Sequence, residues 1–158
     1  MSIQRVREYL VAYDKAEAIQ EFAVSSATVE LAAQALNVPP ARIAKTLSFQ
    51  ADEGCLLLVA AGDARIDNGK FKAAFSRKAK MLSPEDALAM TGYAVGGVCP
   101  FALPENVPVY LDVSLQRFAT VFPACGSSNS AIELTCDELA SLSHSTGWVD
   151  VCKDWANP

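Results

Sequence analysis

A seven-residue apolar run, Cys55–Ala61, is the feature that most restricts the fold of this chain. The run contains no polar residue, so it predicts a central strand that is covered on both faces. The preceding segment Ile43–Gln50 also has the composition of a strand, and Ala51–Gly54 between the two is typical of a hairpin turn. These segments therefore predict a hairpin at the centre of a sheet.

Capping residues mark the helix boundaries. Ser83 followed by Pro84 begins a helix that Gly92 ends, and Thr135 forms a capping box with Glu138 at the start of another. The remaining predicted helices cover Ser2–Tyr13, a segment that begins with Ser26 as cap, and Asn68–Phe75 with Phe71, Ala74 and Phe75 inward; the remaining strands cover Ala18–Val24, Val107–Leu111, Thr120–Ala124, Ala131–Leu134 and Trp148–Cys152.

The order of these elements predicts the fold class. Strands outnumber helices and do not alternate strictly with them, which favours one mixed sheet with helices packed around it. A chain of 158 residues fits one domain and can close a core without disulfides. We therefore predict an α/β fold of the mixed α+β kind, a single domain over residues 1–158 with a curled mixed central sheet.

Composition excludes several classes of protein. With 51% hydrophobic and 20% charged residues, the chain is not disordered. No apolar run approaches the ~20 residues of a membrane span, and charged residues stand where a signal peptide would be apolar. The five cysteines have no zinc-site spacing. These features predict a cytoplasmic protein with free thiols, no metal and no membrane contact.

The charge is unevenly distributed along the chain. The segment Arg42–Lys80 carries eight basic and four acidic residues, which leaves +4 there and −9 elsewhere in a chain of net charge −5. Such a chain is not expected to bind DNA, but the basic segment can bind one end of a polyanion without contacting a whole duplex. Lysines scattered over a solvated surface are the alternative interpretation.

Few conventional catalytic groups are present. His144 is the single histidine, no GxSxG motif accompanies it, and it is expected in a surface loop. GxxxxGK[ST] and GxGxxG are absent, so no nucleotide cofactor is predicted. What remains is Lys45 at the start of an apolar strand and the glycines of two loops, Gly96–Gly97 and Gly126. Backbone N–H groups near such glycines suit an oxyanion or phosphate, although ordinary tight turns are the alternative.

Four short motifs occur in an ordered set: Ala44–Leu47, Ala61–Asp63, Gly96–Pro100, and Gly126–Ser127 ahead of Ile132–Leu134. In this order and spacing the chain resembles the YbaK family, also called prolyl-tRNA synthetase-associated or INS-like editing domains. The resemblance covers nearly the whole chain. It implies a mixed α/β fold with a curled sheet and a free-standing trans-editing deacylase. The substrate implied is mischarged tRNA, most often tRNA(Pro) carrying alanine, cysteine or another small amino acid.

The resemblance also implies roles for individual residues. Lys45 matches the family lysine that contacts the terminal nucleotide or the aminoacyl end, and Gly96–Pro100 matches the loop that holds the aminoacyl moiety. The predicted catalytic residues are Lys45, Gly96 and Gly97, with backbone N–H groups near Gly97 as candidate oxyanion donors. The predicted substrate-binding residues are Thr46, Gly62, Asp63, Val98, Cys99, Pro100, Phe101, Gly126, Ser127 and Asn129.

The expected partner is the acceptor end of mischarged tRNA, with prolyl-tRNA synthetase as a further candidate. The predicted tRNA-binding residues are Arg42, Arg65, Lys70 and Lys72. An aminoacyl ester is already activated, so positioning it against water can replace a side-chain nucleophile. No cofactor is therefore expected.

Two positions depart from the family pattern. Cys99 stands where relatives often carry Ser or Thr before the proline, and Asn129-Ser130 stands where alanine-specialised members carry Asn-His. The preferred amino acid is therefore open. Two other functions are also open: a catalytically silent module that recognises a tRNA end or a synthetase, and a thiol enzyme built on Cys99 or Cys125.

Overall fold

The computed structural model describes residues 2–155. Five α-helices and ten strands lie within them, several of the strands only two residues long. In chain order they are α1 (Ser2–Val11), β1 (Gln20–Glu21), α2 (Val29–Leu36), β2 (Ile43–Gln50), β3 (Cys55–Ala61), β4 (Arg65–Ile66), α3 (Asn68–Phe75), α4 (Pro84–Thr91), β5 (Val109–Asp112), β6 (Thr120–Pro123), β7 (Ser130–Ala131), β8 (Leu134–Thr135), α5 (Cys136–Leu142), β9 (Gly147–Val149) and β10 (Cys152–Lys153).

A six-stranded sheet, curled into a half-barrel, forms the centre of the fold in the order β8-β6-β2-β3-β5-β9. β2 and β3 form the predicted antiparallel hairpin, with Gln50 opposite Cys55 at its turn. β5 and β9 add parallel to β3, whereas β6 adds parallel to β2. Every residue of β3 is buried, as its apolar composition predicts. The predicted mixed α+β class with a curled central sheet is confirmed.

Two small ladders lie outside this sheet. β1 pairs with β7, and β4 pairs with β10, both antiparallel. The first joins the segment ahead of α2 to the loop after β6. The second joins the turn after β3 to residues near the end of the described chain. β7 lines the cavity described below, and β4 directly follows Ala64, whose carbonyl accepts from Lys45.

The helix caps follow the sequence signals at two places. The Ser83 side chain accepts from the N–H of Asp86, and Gly92 ends α4 with a φ of +84°. Thr135 and Glu138 form the predicted capping box of α5.

The start of α2 and one face of α3 were predicted wrongly. The cap of α2 is Thr28, whose side chain accepts from the N–H of Leu31. Ser26 cannot cap the helix because its N–H and hydroxyl both donate to the carbonyl of Ser128. On α3, Phe71 is buried but Ala74 is exposed.

Three predicted strands are shorter or divided. Ala18–Val24 keeps only the two residues of β1, because a 3₁₀ turn occupies Ala16–Ala18. Ala131–Leu134 separates into β7 and β8, which pair with β1 and β6 respectively. Trp148–Cys152 separates into β9 and β10 for the same reason: consecutive segments pair with different strands.

A continuous apolar core packs against both faces of β3. Four of the five cysteines are buried in the structure, and Cys136 is half-buried; all are free thiols. Among residues 2–155, no helix is both long enough and apolar enough to cross a membrane.

Candidate functional site

A cavity of about 280 Å³ opens beside Lys45, between β2, the residues that lead into α2, and the loop before Val98. Four of the predicted site residues line it: Lys45, Thr46, Gly96 and Val98. The other lining residues are Ser26, Ala27, Thr28, Val29, Ala32, Ile43, Ala44, Leu47, Ser48, Met81, Leu82, Val95, Phe122, Ala124, Ser130 and Ala131. The wall therefore consists mostly of apolar residues, several of them small, with one cation and a few hydroxyl groups.

Lys45 is held by backbone carbonyl groups of the turn that follows β3, residues 61–64, called here the lysine turn. Its Nζ donates to the carbonyl of Ala64 at 2.5 Å and lies 3.5 Å from that of Gly62. Burial lowers the pKa of Lys45 from its ordinary value of 10.5, an effect that Cys152 and Asp63 partly oppose. The ammonium is thus fixed in direction and partly desolvated at the cavity wall.

Thr46 contributes an unpartnered hydroxyl to the same wall. Its Oγ1 is buried and has no hydrogen-bond partner among the described residues. A buried polar atom without a partner is unfavourable by about 1–3 kcal/mol. A ligand in the cavity that hydrogen-bonds to Thr46 would recover this energy.

Gly62 allows the lysine turn to approach its neighbours closely. A Cβ at this position would lie 2.1 Å from the carbonyl oxygen of Pro40 and 2.7 Å from Cγ1 of Val29. Only glycine fits there without a shift of backbone. Gly62 therefore supports the site by packing, and it also supplies a carbonyl toward Lys45.

Three loops meet at the wall of the cavity that Lys45 also lines. A Cβ at Gly97 would lie 3.0 Å from the backbone of Gly126 and Ser127, and one at Gly96 would lie 3.2 Å from Cβ of Ala27. The N–H of Ser26 donates to the carbonyl of Ser128 at 2.6 Å. The two predicted glycine loops are thus brought together, and the residues ahead of α2 join them.

The hydrogen bonds of these loops decide which N–H groups can face a ligand. The N–H of Gly97 donates to the carbonyl of Ala94 at 2.9 Å, so it closes the turn and is not free for an oxyanion. Gly97 is also buried, whereas Gly96 and Val98 line the cavity. Within residues 2–155 the N–H groups of Gly96 and Val98 have no acceptor, so they replace Gly97 as candidate oxyanion donors.

The loop after β6 is tied together by its own side chains. The amide of Asn129 donates to the carbonyl of Phe22 at 3.0 Å, which links the loop to the segment after β1. The hydroxyl of Ser127 bonds to Ser130 and to the Asn129 side chain. Of these residues only Ser130 lines the cavity. Asn129, Ser127 and Gly126 therefore shape the wall without forming its surface.

Four other predicted site residues lie away from the cavity. Cys99 and Phe101 are fully buried in the core, where the carbonyl of Phe101 accepts from the Tyr93 hydroxyl at 2.5 Å. Burial raises the pKa of the Cys99 thiol to about 12. Pro100 faces a different cavity. Asp63 belongs to the lysine turn, but its carboxylate is paired with Arg117 at 2.5 Å.

That second cavity is larger, about 750 Å³, and lies between α1, residues 100–108 and the end of α5. Its wall includes His144, which is exposed and contacts the Tyr13 hydroxyl at 3.1 Å. The expectation of a surface-loop histidine is confirmed. Apart from Pro100 none of the predicted site residues lies on this wall. The smaller cavity, which four of the predicted site residues line, is therefore the candidate site.

The predicted tRNA-binding residues differ in whether their side chains are already paired within the protein. Arg42 is engaged by Thr120 and Glu133, and Lys70 pairs with Asp150 at 3.1 Å. Arg65 and Lys72 are exposed, without an ion pair among the described residues. Lys153 lies directly opposite Arg65 in the β4–β10 ladder. Sequence analysis missed Lys153 because the pairing of these distant segments leaves no local signal.

Residues 26–29 and Ala32 were also missed, although they form one side of the cavity. Their sequence, Ser26-Ala-Thr-Val, contains only small or β-branched side chains ahead of a helix. That pattern indicates a helix start and carries no chemical signal of its own. No group of three or more His, Cys, Asp or Glu suited to a metal ion occurs in the part of the chain that the structure describes.

A model of the aminoacyl-tRNA editing domain matches residues 24–142 of this sequence. The chain belongs to the aminoacyl-tRNA editing domain family. The matched residues include Lys45, the lysine turn and both glycine loops. The family match therefore covers the cavity wall described above, and it ends before β9 and β10.

Two relatives cover nearly all of this chain. The uncharacterized protein YwhH of Bacillus subtilis (strain 168) is 54% identical over 156 residues, 98% of this chain and 99% of its own. EbsC of Enterococcus faecalis, named as a proposed Cys-tRNA(Pro)/Cys-tRNA(Cys) deacylase, is 29% identical over 147 residues, 90% of this chain and 87% of its own. The family match thus extends to free-standing proteins of this length.

A solved structure has the same fold. A crystal structure described as a proposed trans-editing enzyme for prolyl tRNA synthetase superposes with a TM-score of 0.86 at 29% identity. The superposition covers 96% of this chain and 97% of the other. The editing-domain fold is therefore present over nearly the full length, including elements outside the family match.

Proposed function

We propose that this chain is a trans-editing deacylase that hydrolyses the ester of mischarged tRNA, with tRNA(Pro) carrying alanine or cysteine as its substrate. The observation that carries the proposal is the small cavity in which a fixed ammonium and an unpartnered hydroxyl face apolar side chains. Membership of the editing family supports the reaction class. The names of EbsC and of the similar crystal structure support the choice of tRNA(Pro).

The size of the cavity favours a small amino acid. Pockets for drug-sized ligands are typically about 300–1,000 Å³, and this one is about 280 Å³. Ala44, Ala124 and Ala131 contribute to its wall, so little room is taken by large side chains at those points. Editing is needed where a synthetase discriminates weakly, at about 1–3 kcal/mol per methylene. A second cavity that selects by side-chain size would supply the missing discrimination.

Hydrolysis at this site needs no side-chain nucleophile. Water attacks the ester carbonyl carbon, a tetrahedral oxyanion forms, and its collapse releases the ribose oxygen, which takes up a proton. The Lys45 ammonium would contact the terminal nucleotide or the aminoacyl end and orient the ester. The N–H groups of Gly96 and Val98 would stabilise the oxyanion, and one such donor contributes about 2.7–4 kcal/mol in enzymes of known energetics.

Contacts to tRNA are proposed to be few and near the acceptor end. Arg65, Lys72 and Lys153 are exposed cations of the region around the lysine turn and α3. With two to four phosphate contacts, the slope of log affinity against log salt is expected to be about −1.5 to −3.5. A slope steeper than about −6 would indicate an extended interface instead. An acceptor-stem minihelix is expected to show the same slope as full tRNA.

The decisive experiment is a deacylation assay with a panel of charged tRNAs. Ala-tRNA(Pro), Cys-tRNA(Pro), Ser-tRNA(Pro) and Pro-tRNA(Pro) are each incubated with the protein, and ester loss is followed against a protein-free control. We expect hydrolysis of the alanyl or cysteinyl ester and sparing of Pro-tRNA(Pro). Binding of these tRNAs without hydrolysis of any ester would refute the deacylase and establish the silent binding module. Assays repeated with added prolyl-tRNA synthetase test whether that enzyme is a partner.

A further inference from the structure

A buried carboxylate lies at the end of β5, behind the lysine turn. Asp112 is fully buried, and no cation forms an ion pair with it among residues 2–155. A buried charge is unfavourable unless hydrogen bonds satisfy it. Two backbone N–H groups do so here: those of Ser114 and Val151, both at 2.9 Å.

Helix capping explains only one of these two hydrogen bonds. Asp112 is the N-cap of the 3₁₀ helix Val113–Arg117, and its Oδ2 accepts from the N–H of Ser114 in that role. Its Oδ1 accepts from Val151, a residue 39 positions further along the chain. The long-range bond therefore requires another explanation.

The two residues that Asp112 holds are themselves bonded to the two ends of the segment 61–67. The Ser114 hydroxyl accepts from the N–H of Ala61 at 3.1 Å. The Val151 carbonyl accepts from the N–H of Asp67 at 2.8 Å. Asp112 thus fixes, through one residue on each side, the segment that contains the lysine turn.

The lysine turn is the part of this segment that contacts the Lys45 ammonium, through the carbonyl groups of Gly62 and Ala64. A small rotation of the turn would move both carbonyl groups away from Nζ. The position of the ammonium in the cavity therefore depends on how firmly both ends of the segment are held.

The Cys152 side chain lies between the carboxylate and the lysine. Burial, followed by the charge of Asp112, raises the pKa of the Cys152 thiol to about 12, and the Lys45 charge opposes this. The ionisable groups that face Lys45 are Cys152 on β10, Asp63 in the lysine turn, Arg65 on β4 and Glu30 on α2.

We propose that Asp112 is a positioning residue of the Lys45 site, which acts through Ser114 and Val151 to hold the carbonyl groups of the lysine turn against the ammonium. Its effect on rate rests on the proposed function, whereas its effect on Lys45 itself does not. The proposal extends the site to Val151 and Cys152, which lie beyond the family match to residues 24–142.

The test is to measure the Lys45 pKa by NMR with ¹³Cε-labelled lysine, in the absence of tRNA. The Lys45 resonance is assigned from its loss in Lys45→Arg. In Asp112→Asn the side-chain amide can accept only one of the two N–H groups, so one of the two hydrogen-bonded links that brace the segment is weakened. The carbonyl groups of Gly62 and Ala64 then move away from the Lys45 ammonium. Because these hydrogen bonds favour the charged form, we expect the Lys45 pKa to fall by about half a unit or more.

The matched control is Asp154→Asn. Asp154 lies in the same part of the chain, is exposed, and has a φ of +65°, which asparagine tolerates. This variant removes the same charge and is expected to leave the Lys45 pKa unchanged. An unchanged Lys45 pKa in folded Asp112→Asn, or an equal fall in Asp154→Asn, would overturn the proposal. If Asp112→Asn does not fold, Ser114→Ala removes one link to the segment and is judged by the same measurement.

Kinetics supply a second readout. We expect Asp112→Asn to lower kcat about tenfold or more, with no additional loss when Lys45 is already replaced by methionine. An equal loss in both backgrounds would show that Asp112 acts only on overall stability, and the proposal would fail. If the wild-type protein hydrolyses no ester, the proposed function fails while the NMR titration still decides the role of Asp112.

Discussion

Replacing Lys45 with methionine separates the chemical role of the ammonium from its contribution to folding. Methionine keeps an unbranched side chain and removes the charge that donates to the carbonyl of Ala64 at 2.5 Å. A hydrogen bond to a charged group is worth about 1.5–3 kcal/mol. The variant also no longer buries an ammonium, and the desolvation that this burial costs is recovered. We therefore expect a net change of about 1 kcal/mol or less, or about 2–4 °C in Tm.

The expected effect on activity is much larger. Loss of a group that orients the ester and stabilises developing charge typically lowers the rate about 10²- to 10³-fold. Deacylation is measured with the aminoacyl-tRNA that the wild-type protein hydrolyses best, and Tm is measured by circular dichroism. Lys78→Met, which removes the same charge from an exposed position after α3, is the matched control and should retain activity within a few-fold. Lys45→Arg should also be poor because a planar guanidinium cannot replace a compact ammonium.

The reasoning is refuted if Lys45→Met hydrolyses the ester within about threefold of the wild-type rate, since that is well below the loss expected for such a group. It is equally refuted if the loss of activity matches a large fall in Tm. In that case Lys45 would be a structural lysine whose carbonyl contacts serve the fold.

Three further predictions follow from burial and close packing. Because burial lowers the pKa of Lys45 from 10.5, its ammonium is lost as pH rises through that lowered value. After subtraction of spontaneous hydrolysis, kcat/KM should therefore decline on the alkaline side below pH 10.5, and a decline only at or above that pH would contradict the role of the ammonium. Because the Cys99 thiol is buried with a pKa of about 12, iodoacetamide should modify it only in the unfolded chain. Cys99→Ser should retain deacylation within about tenfold; complete loss of turnover in the folded variant would favour a thiol enzyme. Gly62→Ala places a Cβ 2.1 Å from the Pro40 carbonyl oxygen, whereas Gly147→Ala meets nothing within 4 Å. Chemical denaturation should show a loss of about 1–3 kcal/mol in the first variant and no loss in the second; equal effects would disprove the close approach.

Local signals in the sequence were sufficient to predict the centre of the fold. The β2–β3 hairpin follows from an apolar run, a turn and a second strand-forming segment, all within residues 43–61. The caps at Ser83 and Thr135 depend on neighbouring residues and were predicted for that reason. The cap at Ser26 was wrong because a distant carbonyl, that of Ser128, takes its hydrogen bonds. Sequence patterns cannot show such competition.

The site was predicted only in part, for a similar reason. Lys45, Thr46, Gly96 and Val98 do line one cavity. Cys99 belongs to the same loop, but its side chain points into the core, and a motif does not show the direction of each side chain. The roles proposed for Asp112, Val151 and Lys153 depend on long-range hydrogen bonds and strand pairing. These contacts are set by tertiary structure and leave no local pattern.

The bond between Asp112 and Val151 also affects when the site can form during synthesis. The hairpin that carries Lys45 depends on neighbouring residues and can form early, whereas contacts distant in sequence form later. Translation adds about 5–20 residues per second, so the nascent chain holds Lys45 for several seconds before Val151 exists. Until Val151 is made, the segment 61–67 lacks the hydrogen bond between the Asp67 N–H and the Val151 carbonyl. The site proposed around Lys45 is therefore completed only once Val151 has been synthesised and its N–H has reached the Asp112 carboxylate.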